Sequence, residues 1–425
     1  MSVCNYPSNM TKLHFIHYAF TLLFILSSCT KNEVSEESEL ESIPSPTGTN
    51  ASLPYLVTGA NGNLYLSWVE QSGDTAILKY AMLNDNAFGQ TETIASGTDW
   101  FVNWADYPMM AVNSKGDMMA HYLAKSSSGT YSYNVNIVLK PSDSSQWSKP
   151  IIPHSDGTPT EHGFVTMLPQ SDNNFALAWL DGRNTGETDH VDHSNMSNGA
   201  MTIRTAVMYV DGKIQAEAEL DNRVCDCCQT TGVLTNNGPV FFFRDRSNDE
   251  IRDIARVRKT ETGWSTPETL YNDNWKINGC PVNGPRADIV GNTIAVVWFS
   301  APEGNGSVKL AFSKDTGVSF QPPIVIDSIQ PLGRVDVVMI NEQEAAVSWL
   351  AKEGADVVIK AQQVSITGEK QKPITIAKTS EARGSGFAQM ALYNSQLFFA
   401  WTDFGEDEKK NIRIARLGES KPSKH

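Results

Sequence analysis

Basic residues are scarce in this sequence of 425 residues, which also has few cysteines and no long apolar run. It contains 34 Lys and Arg against 48 Asp and Glu, so its net charge is −14. Nucleic acids and anionic lipid surfaces are bound through an excess of Lys and Arg, so this balance argues against both as partners. The apolar run at residues 15–26 is too short to remain in a bilayer. Helical periodicity is absent from the body of the chain, which argues against a helical domain.

Residues 1–28 have the features of a signal peptide: a short positive region, an apolar run and a small-residue processing site. Translation from Met10 would keep all three. The site, Leu-Ser-Ser-Cys29, resembles the lipobox of bacterial lipoproteins, which implies that Cys29 is acylated; an ordinary cleaved signal is the alternative. Residues 29–50, acidic and rich in Ser and Pro, are expected to form a solvated tether. Because no Asp follows Cys29, we expect an outer-membrane lipoprotein, on the cell surface or the periplasmic face.

A repeat built around one aromatic residue runs through the chain after residue 50. Successive copies lie 51 to 64 residues apart, and turn signals separate short alternating segments in each. The aromatic positions are Trp68, Tyr122, Trp179, Phe243, Trp298, Trp349 and Trp401. Four short strands per repeat are typical of a propeller blade. The sequence therefore predicts an all-β domain over residues 51–420, a β-propeller of seven blades, or of six if the first and last repeats merge. A two-sheet sandwich is the alternative, and residues 47–56 are expected to supply the strand that closes the ring.

One hairpin motif resembles a known superfamily. Residues 313–320, Ser-Lys-Asp-Thr-Gly-Val-Ser-Phe, are similar to the Asp-box, or BNR repeat, of sialidases and related propellers. The resemblance implies a turn between the third and fourth strands of a blade, with Ser and Asp side chains bonding the turn backbone and Gly at positive φ. A wider run of motifs, from about residue 100 to 340, resembles bacterial sialidase-like proteins without a known substrate. Both resemblances imply the fold and leave the activity open.

Polar and aromatic residues concentrate at two phases of the repeat. In an antiparallel blade the innermost strand begins, and the second strand ends, on the same side of the disc. Residues at both phases therefore surround one mouth of the axial channel, and a concave polar mouth is the default ligand site. The predicted ligand-binding residues are Trp104, Asp106, Glu161, His162, Asp181, Arg183, Arg244, Asp245, Arg246, Arg334, Asp336 and Arg383.

The arginines of this set bear on the chemistry of the ligand. Guanidinium groups bind carboxylate or phosphate bidentately, and sialidases hold a sugar acid with three Arg, so the resemblance implies a carbohydrate or another anionic small ligand. Sialidases also use a Tyr nucleophile with a carboxylate partner. The sequence identifies neither this pair nor their Arg-Ile-Pro element, so no catalytic residue is assigned. The alternatives are ion pairs between blades for Arg244, Asp245 and Arg246, and a buried, hydrogen-bonded ring for His162.

An insertion at residues 184–199 rises from the same mouth. It contains His190 and His193 in the sequence Asp-His-Val-Asp-His. A polar loop that acts as a lid is the simpler interpretation, and a metal site, which lacks helical spacing here, is the alternative.

Three cysteines, Cys225, Cys227 and Cys228, fall within four residues, and Cys280 precedes the next blade. An exported protein meets an oxidising compartment, where an even set of cysteines pairs. The sequence therefore predicts disulfides among these four, with Cys280 bridged to one of the other three. A thiolate site for copper(I) or zinc, with His162 nearby, and a redox-active thiol are the alternatives.

The resulting hypothesis is a monomeric outer-membrane lipoprotein without a cofactor, attached to the membrane by its lipid alone. Its propeller mouth is expected to bind a glycan, either as a binding protein or as a sialidase-like glycoside hydrolase. An envelope protein that uses the cysteine cluster for metal binding or thiol redox chemistry is one alternative. A scaffold for partner proteins is another, since propellers serve many functions.

Overall fold

The computed structural model describes residues 40–186, 199–404 and 409–418. The predicted signal peptide, the predicted acylation site Cys29, and His190 and His193 of the insertion lie outside the described residues. Within these ranges the chain consists of β-strands and two short 3-10 turns, Pro302–Gly304 and Arg383–Ser385. The all-β prediction is therefore confirmed. No helix of the described ranges has the length and apolar character needed to cross a membrane.

The strands form seven antiparallel sheets, and each sheet is one blade of a propeller. Blade I contains β2 (Ala51–Thr58), β3 (Leu64–Ser72), β4 (Thr75–Asn84), β5 (Ala87–Phe88) and β6 (Glu92–Gly97), and blade II contains β7 (Met110–Val112), β8 (Met118–Lys125) and β9 (Tyr133–Lys140). Blade III contains β10 (His162–Ser171), β11 (Asn174–Asp181), β12 (Met201–Tyr209) and β13 (Ile214–Val224), and blade IV contains β14 (Thr231–Thr235), β15 (Gly238–Arg244), β16 (Ile254–Thr260), β17 (Gly263–Trp264) and β18 (Glu268–Thr269).

Blade V contains β19 (Arg286–Val290), β20 (Thr293–Ser300), β21 (Ser307–Ser313) and β22 (Ile324–Asp327), and blade VI contains β23 (Pro331–Asn341), β24 (Glu344–Glu353), β25 (Asp356–Ser365) and β26 (Ile374–Thr379). Blade VII contains β27 (Gln389–Tyr393), β28 (Gln396–Phe404), β29 (Lys410–Leu417) and, at its outer edge, β1 (Leu40–Ile43). The prediction of seven blades is confirmed, and the alternatives of six blades or a sandwich are wrong.

The ring is closed by β1, which pairs antiparallel with β29 as the fourth strand of blade VII. The expected closing segment, residues 47–56, was the wrong one, because residues from 51 onward form β2, the innermost strand of blade I. The side chains of β2 are mostly buried, which suits the centre of the ring. Only Ile43 is buried in β1, so an outer edge suits that strand. β1 lies within the segment predicted to be the tether.

All seven repeat aromatics lie in the second strands of their blades, as the spacing predicts. Trp68, Trp179 and Trp298 are fully buried, and each indole N–H donates a hydrogen bond to a carboxylate at 2.7–2.9 Å. A buried indole N–H needs a hydrogen-bond acceptor, so each of these tryptophans requires a nearby carboxylate as well as apolar packing. Asp181 accepts from Trp179 within blade III. Asp273, in the loop after blade IV, accepts from Trp298 of blade V and joins the two blades.

Residues 313–320 form the turn between β21 and β22, the third and fourth strands of blade V, as the Asp-box resemblance implies. The Ser313 hydroxyl donates to Asp315 at 2.7 Å and accepts from the N–H of Gly317 at 2.9 Å. Gly317 has a φ of +85°, which glycine adopts without strain. Phe320 packs edge-on against Phe242 of blade IV. Because β21 starts at the mouth and runs away from it, this turn lies on the opposite face and supports the scaffold.

Candidate functional site

The mouth of the propeller is formed by the loops that enter the innermost strands and by the ends of the second strands. By strand order, the twelve predicted ligand-binding residues lie on this side of the disc. Their contacts divide them into separate local groups rather than one constellation. Four of these groups have distinct chemistry: the arginines, a pair of buried carboxyl groups, a histidine stack and the cysteine cluster.

Three consecutive residues at the end of β15 are bonded by other groups of the protein. Arg244 is 1% exposed and donates to three backbone carbonyls of blades IV and V at 2.6–3.0 Å. Asp245 accepts the N–H of Arg246 at 2.7 Å. The guanidinium of Arg246 lies 3.0 Å from Glu250 and 3.3 Å from Asp226. Arg244 is thus bonded to backbone carbonyls and Arg246 to carboxylates of the protein, an arrangement that differs from the clamp for a sugar acid that the resemblance implies.

Arg334 and Arg383 lie on the other side of the mouth, near blade VII. Arg334 donates to the Ser385 hydroxyl at 2.7 Å and to backbone carbonyls of residues 381–386. Its guanidinium lies 4.9 Å from the centre of the Trp104 ring and 6.0 Å from that of Phe387. Burial lowers the pKa of Arg334 to about 10, so it stays charged at neutral pH. Neither arginine has a carboxylate within 4.0 Å in the described ranges.

Two carboxyl groups, one at the entry to blade II and one at the entry to blade III, have strongly raised pKa values. Glu161 accepts a hydrogen bond from the hydroxyl of Tyr133, the first residue of β9. Burial raises the pKa of Glu161 to about 8, and the charges of Asp106 and Asp226 act in the same direction. Asp106 is 3% exposed and accepts the N–H of Phe164 at 2.8 Å, and burial raises its pKa to about 7. Carboxyl groups that keep their protons near neutral pH are features of functional sites.

Replacing Asp106 by asparagine is expected to reduce the loss of stability at alkaline pH. A carboxyl group whose pKa rises from 3.8 to about 7 on folding binds its proton more tightly in the folded chain. Its contribution to stability is complete below about pH 4 and disappears as the pH rises through 7. At about 1.4 kcal/mol per pKa unit, this group alone should cost the wild type at most about 4 kcal/mol by pH 9. Thermal melts between pH 5 and 9 measure the difference.

The amide of D106N keeps an oxygen that can accept the N–H of Phe164. Asp211 is the matched control, because it is exposed and paired only with Lys213. Its substitution by asparagine should leave the pH profile of the melting temperature unchanged. A D106N protein that loses stability with pH as steeply as the wild type would contradict this prediction.

A stack of two histidines lies beside the carboxyl pair. The rings of His154 and His162 are parallel within 5°, with centres 3.7 Å apart. Nδ1 of His162 lies 3.2–3.3 Å from two backbone carbonyls and therefore carries a hydrogen. Its Nε2 faces Asp156 at 3.3 Å and Asp181 at 3.7 Å. Arg183 is the last member of this group, and two of its guanidinium nitrogens donate to Asp181 at 2.7 Å.

The same side chains fit a metal ion poorly. Ligand atoms of His154, Asp156 and His162 lie within 4.8 Å of one another. An imidazole nitrogen binds a metal along its lone pair, which lies in the ring plane. Parallel rings 3.7 Å apart cannot direct two lone pairs at one ion. Burial, followed by the charge of His162, lowers the pKa of His154 to about 4, so this ring is neutral at pH 7. The two rings therefore make the contacts of hydrogen-bonded side chains and not those of metal ligands.

Asp336 lies in the innermost strand β23 and is bonded by residues of two other blades. It accepts from Arg286 at 3.0 Å and from the N–H of Met390 at 2.8 Å. Tyr55 lies close to this ion pair, and burial raises the pKa of its phenol to about 12. The ion pair joins innermost strands β19 and β23 of neighbouring blades, which makes Asp336 a structural residue.

The cysteines form two pairs with different environments. A disulfide joins Cys227 to Cys280 and links the loops that enter blades IV and V, which confirms the predicted bridge from Cys280 to the cluster. The prediction is wrong for Cys225 and Cys228, which are buried free thiols. Their sulfurs lie 3.4 Å apart, whereas a disulfide bond measures about 2.05 Å. A four-thiolate metal site does not fit, because two of the four sulfurs are bonded to each other.

Four side chains of these groups were missed by the sequence analysis: Tyr133, His154, Asp156 and Arg286. The third strand of a blade begins on the side where the second ends, so this rule of strand order would have placed Tyr133 at the mouth. His154 and Asp156 lie six or more residues before β10, beyond the strand entry. Arg286 opens an innermost strand, and no pattern in the sequence distinguishes it from a solvated arginine.

No family model matches this chain, and no curated protein is similar to it. Similar solved structures include a protein of unknown function from Dyadobacter fermentans, which is 11% identical with a TM-score of 0.51. The match covers 89% of this chain and 97% of that chain. The polysaccharide lyase Uly1 is 9% identical, with a TM-score of 0.47 and coverage of 88% and 90%. The NanB sialidase from Streptococcus pneumoniae is 8% identical, with a TM-score of 0.45 and coverage of 89% and 94%. At this level of identity the similarity extends to the fold alone.

Proposed function

We propose that this protein is a lipid-anchored envelope propeller that binds a glycan at its mouth and cleaves a glycosidic bond, with Glu161 as the general acid. The observation that carries the proposal is the contact of the Glu161 carboxyl group with the Tyr133 hydroxyl, in a site where burial raises the pKa of Glu161. Its pKa of about 8 keeps the carboxyl group protonated at pH 7, and the Tyr133 hydroxyl holds it in place. Such a group can give its proton to the oxygen of a leaving sugar.

Asp226 supplies the second carboxylate of the proposed reaction. It enters blade IV next to Glu161, and its charge contributes to the raised pKa of Glu161. The guanidinium of Arg246 lies 3.3 Å from Asp226, whose side chain remains 22% exposed. Glycosidases commonly set one protonated and one ionised carboxyl group on either side of the bond that they break. We assign Glu161 the role of the acid, and Asp226, the partner of Arg246, that of the second carboxyl group.

The loop that leads to Glu161 borders an opening that suits a ligand rich in hydroxyl groups. A cavity of about 350 Å³ is lined there by His154, Asn134 and Thr158 among others. Polar side chains in the lining and a volume of this size suit a sugar ring or two.

The proposal is tested with the purified chain on a glycan array and on a panel of aryl glycosides. We expect binding to a defined group of glycans and release of the aryl group from at least one glycoside with the same sugar. Blank results in both assays would overturn the proposed function. Binding without hydrolysis would remove the catalytic part and leave a glycan-binding protein.

A further inference from the structure

The four cysteines that survive in the folded domain form one compact group of sulfurs. The sulfurs of Cys225, Cys227 and Cys228 lie within 4.8 Å of one another, and the fourth, of Cys280, is bonded to that of Cys227. Cys225 and Cys228 are 1% and 2% exposed, whereas Cys227 and Cys280 are only partly buried. A buried dithiol therefore stands directly behind a disulfide that reaches the surface at the mouth.

The environment of Cys225 favours a thiolate. Its sulfur accepts a hydrogen bond from the buried guanidinium of Arg252 at 3.2 Å and shares another with Cys228 at 3.4 Å. Burial alone would raise the pKa of the Cys225 thiol, but these two contacts bring it down to about 6. Burial and the neighbouring Cys225 raise the pKa of Cys228. One sulfur is thus a nucleophile at neutral pH, and its neighbour holds the proton.

We propose that the four sulfurs form an exchange centre that passes two electrons from the buried dithiol, through the outer disulfide, to a disulfide of another molecule. In the first step the Cys225 thiolate attacks Sγ of Cys227. A bond forms between Cys225 and Cys227, the bond between Cys227 and Cys280 breaks, and Cys280 leaves as a thiolate that takes up a proton.

In the second step Cys228 loses its proton and attacks Sγ of Cys225. The bond between Cys225 and Cys228 forms, and Cys227 leaves and takes up that proton. The protein still holds one disulfide and two thiols, so no external oxidant is consumed. Cys225 and Cys228 have the C-x-x-C spacing that allows a disulfide bridge. After this step the two free thiols are those of Cys227 and Cys280, which are partly exposed.

The surface thiols then react with a disulfide on a partner protein or a small molecule. Cys280 or Cys227 attacks it, a mixed disulfide forms, and the other thiol resolves it. The partner gains two electrons and two protons, and the bond between Cys227 and Cys280 forms again. The protein finishes with two disulfides. This activity uses neither Glu161 nor the glycan, so its test is independent of the test of the proposed function.

The test is native alkylation followed by peptide mapping. The purified chain is adjusted with dithiothreitol until these four positions hold one disulfide, with two thiols in the wild type and one in a single-serine variant. It is then exposed to N-ethylmaleimide while folded and mapped by mass spectrometry. We expect the label on Cys227 and Cys280 in the wild type. In Cys225→Ser, which keeps the outer disulfide but lacks the nucleophile, labelling of Cys280 should fall at least tenfold. Equal labelling of Cys280 in both proteins, or label confined to Cys225 and Cys228, would overturn the proposal.

Cys228→Ser serves as the second variant, because it keeps the nucleophile and lacks the resolving thiol. It should also fail to release a stable pair of surface thiols. Circular dichroism melts of both variants establish that each is folded under the labelling conditions. A final arm adds oxidised glutathione as the external disulfide. The wild type should then hold two internal disulfides, Cys225–Cys228 and Cys227–Cys280, and its mass should fall by about 2 Da. Neither variant should form a second internal disulfide.

Discussion

Replacing Arg244 by methionine is expected to lower the free energy of unfolding by about 3–5 kcal/mol. The guanidinium donates to the carbonyls of Arg252 at 2.6 Å, Asn283 at 2.7 and 3.0 Å and Phe299 at 2.7 Å. It also lies 4.8 Å from the ring centre of Trp275. Methionine fills similar space but removes the side-chain donor of these three carbonyls, two of which are bonded in buried surroundings. A buried polar group that loses its partner costs about 1–3 kcal/mol.

The experiment compares denaturant unfolding of R244M with two controls. Arg383→Met makes the same substitution at an exposed arginine of the same mouth and should change stability by less than about 0.5 kcal/mol. Arg244→Lys keeps the charge but cannot reach three carbonyls, so its stability should lie between those of the wild type and R244M. A loss of less than about 1 kcal/mol in R244M would contradict a structural role for this arginine.

The fold was predictable because it rests on a pattern that recurs seven times. The buried aromatic of each second strand has one geometric role, so its spacing alone gives the number and order of blades. The closing strand was not predictable in the same way. β1 contributes four residues and one buried side chain, Ile43, and in the sequence such a segment is indistinguishable from an acidic tether.

The candidate site was predictable in location but not in chemistry. Strand order places residues on the side of the mouth, whereas their roles depend on which atoms meet across blades. Arg244 and Arg246 share a strand end, yet one bonds carbonyls and the other carboxylates. The bond between Tyr133 and Glu161 joins two blades, and no local pattern announces it. The choice of Cys227 over its neighbours as partner of Cys280 is likewise set by the approach of two loops.

Replacing Glu161 by glutamine is expected to lower kcat for glycoside hydrolysis by about 10²–10⁴-fold, since a general acid contributes that much. The amide keeps an oxygen that can accept from the Tyr133 hydroxyl, so folding and glycan affinity should be retained. Glu353→Gln is the matched control, because Glu353 ends a second strand on the same side and pairs with Lys360 at 2.6 Å. It should keep wild-type kcat.

The pH profile separates an acid at Glu161 from a merely structural residue. In the wild type, kcat/KM should fall as the pH rises through about 8, because the acid loses its proton there. The hydrogen bond from Tyr133 lowers the pKa of Glu161, in opposition to burial. Removing this hydroxyl in Tyr133→Phe should therefore move the alkaline limb to higher pH, whereas loss of rigidity alone would lower the rate at every pH. An alkaline limb that stays in place in Y133F, or persists in the residual activity of E161Q, would assign the titrating acid to another group.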